Sequence, residues 1–189
     1  MRRDVMPLFL CGAVLALAGC AATAAGPALP APAASSAGPA PAPAVRPALC
    51  DGRKPAPRDP FPYNRDAARR DAMLHFYDLG GGERYVGGAA HFDSLDAAGL
   101  AALIQARYID PYEQQNAAPP VWDIFRFLCR HPQVRAMGYV ISIDRPDYRA
   151  SLETVYAQEI DPQLREEALT FCADADAVET GDHLECFWD

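Results

Sequence analysis

Four histidines, six cysteines and 25 carboxylates give this 189-residue chain its chemical repertoire, and their spacing narrows it. None of His75, His91, His131 and His183 stands four residues from another, so the sequence holds no helical pair of metal ligands. His91-Phe92-Asp93 sets an imidazole two residues from a carboxylate, the parts of a general base and its orienting acid, or of two metal ligands. A hydrolase centred on His91 and Asp93 is the enzymatic reading, and it needs a third polar group converging on them. His75 falls among apolar residues at helical spacing and reads as a core histidine. His131 reads as the last turn of a helix, where a cation complements the dipole. Ser94, Ser142 and Ser151 lie in no Gly-x-Ser-x-Gly elbow. Gly80-Gly81-Gly82 and Gly87-Gly88 lack the flanking strand, helix and Lys-Ser/Thr of a phosphate loop. A four-cysteine zinc site needs close pairs, whereas Cys50, Cys129, Cys172 and Cys186 are 79, 43 and 14 residues apart. No catalytic residue, metal or cofactor is therefore assigned.

Two stretches carry residue types suited to binding. Asp144-Arg145-Pro146-Asp147-Tyr148-Arg149 joins a proline-stiffened turn to Arg145, Tyr148 and Arg149, types enriched at the centres of protein contacts. From Glu159 to Asp189 there are ten acids and one base, Arg165, and Asp174, Asp176 and Glu179 are the candidate contacts in that stretch. The chain has a formal charge of −8, and from residue 48 onward 14 bases face 24 acids. Nucleic acid, whose phosphates repel such a surface, is excluded as a partner. A basic protein is the complementary one, because opposed potentials speed association.

The amino terminus carries the address. Arg2 and Arg3 precede an apolar run from Val5 to Leu17, too short to cross a hydrocarbon core of roughly 20 apolar residues. The run ends in Leu17-Ala18-Gly19-Cys20, which resembles the lipobox of bacterial lipoprotein precursors. The resemblance implies that residues 1–19 are a signal peptide removed on export. It implies too that Cys20 becomes a lipidated first residue, its acyl chains (palmitate-type) forming the membrane anchor. Ala21, rather than aspartate, after the cysteine implies the outer membrane, with the domain in the periplasm or at the cell surface. Residues 20–47 then form the lipidated cysteine and a tether, with 12 alanines and 7 prolines in residues 21–47. Such a segment cannot bury enough surface to order itself. Extended as polyproline II it would reach on the order of 80 Å. In that compartment a basic cell-wall enzyme or toxin is the kind of partner the acidic domain would meet. The leading expectation is thus a non-catalytic binding module, with the His91/Asp93 hydrolase and a structural envelope component as alternatives.

The elements that position these residues follow from apolar periodicity. Residues 50–63 read as an irregular, proline-rich arm. A first helix is expected from Asn64 to about Tyr77, burying Ala68, Ala72, His75, Phe76 and Leu79. A glycine-rich loop to His91 follows, then a second helix capped by Ser94, with Leu95, Leu100, Leu103 and Ile104 inward. Pro119-Pro120 opens a third helix, apolar around most of its circumference and hence central. The period then becomes two: Met137, Tyr139, Ile141 and Ile143 face one way, a turn follows at 144–147, and residues 148–156 return. Asp161-Pro162 begins a fourth helix, and residues 175–179 and 183–188 form a second hairpin. The expectation is an α+β domain over residues 48–189, about three helices followed by a ββαββ unit, with helices covering an antiparallel sheet. Export makes Cys50, Cys129, Cys172 and Cys186 disulfide candidates, for which three pairings exist. Cys172 and Cys186 lie on inward faces, which favours a Cys172–Cys186 bridge and leaves Cys50–Cys129.

Overall fold

In the computed structural model, which describes residues 46–78 and 83–189, the carboxy-terminal half follows its hydrophobic periods closely. Strands β3 (Arg135–Ile141) and β4 (Ala150–Ala157) make the first hairpin, and β5 (Ala177–Glu179) and β6 (Leu184–Phe187) the second. Between them runs α4 (Pro162–Phe171), whose N-cap Asp161 accepts a hydrogen bond from the Leu164 amide at 2.8 Å. The amino-terminal half contributes α1 (Ala67–Asp71), β1 (His75–Phe76), β2 (Ala89–Leu95), α2 (Ala97–Gln105) and α3 (Val121–Arg130). All described residues belong to one compact unit, Ala42–Asp189. The expected signal peptide, Cys20, all of the expected tether before Arg46, Leu79 and Gly80-Gly81-Gly82 lie outside the described residues.

The six strands form one antiparallel sheet in the order β1-β2-β3-β4-β6-β5. Ala90, Val140 and Ala150 stand opposite one another and belong to the buried core. The alternate positions His91, Tyr139 and Ser151 share the other face. Helix α3 buries Val121, Trp122, Ile124, Phe125, Phe127, Leu128 and Cys129, as its near-continuous apolar sequence predicts. Phe127 stacks on Phe171 at 4.2 Å, and Phe171 meets Trp188 edge-on at 6.2 Å, which locks α3, α4 and the last strand together. Each such buried large side chain contributes roughly 1.5–3 kcal/mol. The α+β architecture, an antiparallel sheet covered by helices, is the one the sequence predicts. The expected bridges are present too: Cys50–Cys129 pins the arm to α3, and Cys172–Cys186 pins α4 to β6.

Three sequence expectations need correction. The first helix closes after α1, and the chain turns to pair His75 and Phe76 with Asp93 and Phe92. His75 is therefore on an edge strand with its side chain 72% exposed, not in the core. The stretch leading to the second helix is strand β2 from Ala89, not loop, with Ala90 and Phe92 buried. The cap of α2 is Asp96, whose carboxylate accepts from the Gly99 amide, while Ser94 sits at φ 57° in a bulge of β2. Met137, Tyr139 and Ile141 share one face of β3, as the alternation predicts; the core side is that of Ala136 and Val140, and Tyr139 and Ile141 are buried nonetheless. A central strand is covered on both sides, so large residues no longer mark the helix-facing one.

Candidate functional site

The acidic carboxy-terminal segment folds into one edge of the sheet. Strand β5 pairs only with β6, and Ala177, Val178 and Glu179 are all exposed. The register sets Glu179 directly opposite Glu185, a like-charge pair of the kind that destabilises a sheet. Asp174 is exposed, and Asp176 accepts a hydrogen bond from the Asp189 amide at 2.9 Å. Arg165, the lone base of the segment, donates at 2.7 Å to the carbonyl of Gly181. Its guanidinium therefore serves the hairpin backbone. A shallow cavity of about 230 Å³ lined by Ala177, Val178, Glu179, His183 and Glu185 opens on this edge. The Cys172–Cys186 bridge fixes β6, and hence the edge, to α4.

The other predicted contacts lie elsewhere. Arg145 grips Asp147 with two hydrogen bonds, of 2.8 and 2.9 Å, and this holds the Asp147 carboxyl below its ordinary range. Arg149 donates to the Tyr139 hydroxyl at 3.2 Å and lies 3.7 Å from Glu113. Tyr148 is 3% exposed and packs edge-on against Tyr63 at 5.4 Å. It is an interior residue, so the turn presents Arg145 and Arg149 without the tyrosine expected beside them. Arg149 adjoins the start of β4, whereas β6 and β5 follow its far end from Thr154 onward. The two arginines and the three acids thus do not form one site.

His91 and Asp93 face the same side of β2, but each is engaged by a different partner. The Nδ1 of His91 lies 3.5 Å from a carboxylate oxygen of Glu153, whereas Asp93 takes the Nδ1 of His75. The pair required by the hydrolase reading is divided between two separate imidazole–carboxylate contacts. The rings of Tyr77 and Tyr139 flank His91 at 6.1 and 5.8 Å. Burial lifts the Glu153 carboxyl above its ordinary range against the opposing pull of His91. Burial, then the charges of Glu153 and Asp93, raises the Tyr77 phenol. Sequence reading missed Glu153, Tyr77 and His75 as members of this cluster. Glu153 is the extra residue of a bulge in β4, and no local pattern announces a bulge. His131, expected at a helix end, caps α3 and is buried, with Nε2 2.9 Å from Glu167 of α4. Among the described residues, no group of three or more histidines, cysteines or acids is arranged to hold a metal ion.

Fold and surface define a disulfide-bonded α+β domain with an acidic sheet edge. No family model, no curated protein and no solved structure matches the chain.

Proposed function

We propose that this chain is the precursor of an outer-membrane lipoprotein whose domain is a non-catalytic binding module for a basic protein. The observation that carries the reading is the β5 edge, where Glu179 and Glu185 stand opposed and Arg165 is turned to a backbone carbonyl. A lysine or arginine from a partner would relieve the repulsion and add a charge-assisted hydrogen bond. The lipobox-like Leu17-Ala18-Gly19-Cys20 supplies the anchor, and the Ala/Pro tether the stand-off from lipid. Two disulfides suit an oxidising compartment.

The test is photo-crosslinking from position 178 in intact cells of the native host, beside a Glu179→Lys/Glu185→Lys variant. The expected result is one basic protein crosslinked to the native sequence, less at high salt and absent with the variant. A crosslinking pattern insensitive to salt and to both substitutions overturns the reading in favour of a structural envelope role.

A further inference from the structure

The proline-rich arm that precedes α1 is fastened at three points. Cys50 is bonded to Cys129 of α3, the Tyr112 hydroxyl donates to the Pro55 carbonyl at 2.9 Å, and the Asn64 amide donates to the Arg107 carbonyl at 2.8 Å. Between these ties Pro55, Pro57, Pro60 and Pro62 have no amide hydrogen to offer a ladder or a helix, so the arm keeps an irregular course. A groove of about 220 Å³ lies between the arm and the end of α2. Leu49, Pro55, Phe61, Ile104 and Pro111 give it an apolar lining, and Arg58 of the arm and Arg107 just past α2 line it too.

Both arginines are exposed, and neither side chain makes a hydrogen bond or ion pair with a described residue. Elsewhere in this acidic domain arginines find carboxylates, as Arg70, Arg84, Arg130 and Arg145 do. Asp59, next to Arg58, is exposed and does not line the groove, and Asp110 accepts from the Tyr112 amide. Arg107 also occupies a position that suits glycine. Helix α2 closes with the Tyr108 amide bonded to the Leu103 carbonyl at 2.9 Å and the Arg107 amide to the Ile104 carbonyl at 3.1 Å, the paired bonds of a Schellman ending. The residue that turns left-handed in that motif is usually glycine; here it is Arg107, at φ 63°. The chain thus holds an arginine beside the groove against the local backbone preference.

We infer that this groove docks an acidic peptide segment of a partner protein, one apolar side chain entering the groove and its flanking carboxylates meeting Arg58 and Arg107. Charge complementarity selects the occupant. A carboxylate can accept two parallel hydrogen bonds from a guanidinium, and the apolar lining adds the burial of the side chain between them. The Ala/Pro-rich residues 21–45 carry no charge and would leave both arginines unpaired. At about 220 Å³ the groove is smaller than the roughly 300–1,000 Å³ of sites that take a whole small molecule, so it suits one side chain rather than an acyl chain. Asp174, Asp176, Glu179 and Glu185 do not line it, and the inference is therefore independent of the acidic β5 edge.

Titration of the full chain with a fluorescent peptide, a leucine flanked on each side by two glutamates, tests the site at constant ionic strength. The expected result is saturable binding, about tenfold weaker with serine in place of the leucine and lost with glutamines in place of the glutamates. Arg58→Ala and Arg107→Gly should each weaken it about tenfold. Arg107→Gly should melt no lower than the native chain, because glycine adopts the left-handed turn at no steric cost, so binding lost there is not folding lost. Equal affinity for all three peptides overturns the site, and so does binding unchanged in both arginine variants. Displacement of the peptide by phosphatidylglycerol vesicles, with no response to the leucine, overturns it in favour of a lipid surface.

Discussion

At the scale of single residues, the polar groups that matter are those that join elements, and Glu167 is the clearest. Gln163 at 3.0 Å, His131 at 2.9 Å and Arg130 at 3.2 Å surround its carboxyl and hold it at about 2. An unfolded glutamate titrates near 4.3. A group depressed in the folded state stabilises fully above the unfolded value, and its contribution fades as pH falls from about 4.3 to about 2. Glu167→Gln should therefore lower stability at pH 7 by about 1 kcal/mol, a modest figure because the carboxylate is partly exposed. Its deficit against the native protein should shrink through that acid window, which urea titrations at pH 7, 4 and 2.5 would show. Residue types were legible here, but partners were not. Arg145 and Arg149 stay near the surface as read, whereas Tyr148 turns inward because Tyr63, from the proline-rich arm, supplies a ring to pack against.

At the scale of elements, the sheet depends on how β3 fits between two irregular neighbours. β2 carries an extra residue between Phe92 and Leu95, and β4 carries Glu153 as another, so both bulges flank Gly138. A β-carbon at Gly138 would collide with the backbone carbonyl of Ser151, which cannot swing aside as a flexible side chain would. Gly138→Ala should thus cost about 3 kcal/mol or more by forcing strands apart, read as a fall in the urea midpoint with an unchanged slope. Elements with strong periods, α3, α4, β3, β4 and β6, were legible from their own spacing, whereas β5, all three of whose residues are exposed, was legible only from the turn that joins it to β6. Strands β1 and β2 were not. Two residues cannot show a period, and β2 interrupts its alternation at the Ser94 bulge.

At the scale of the whole molecule, the proposed anchor and tether and the folded domain make separate demands on the sequence. If Cys20 is the lipidated residue, Cys20→Ser should move the protein out of the membrane fraction with residues 1–19 still attached, as intact mass from the native host would show. The melting temperature of the domain should not change, since all four cysteines of the domain are paired with one another. Composition, charge, the amino-terminal pattern and the α+β class were determined by the sequence alone. Each is a sum, or a repeat of short period, that needs no knowledge of what folds against what. The tertiary structure alone decided that His91 meets Glu153 rather than Asp93, that Tyr148 is interior, and that Glu179 confronts Glu185. It also buried Arg70 against Asp71 and Tyr85. Those contacts depend on register, bulges and chain crossings, which bring together residues far apart in sequence and leave no mark in the spacing of either partner.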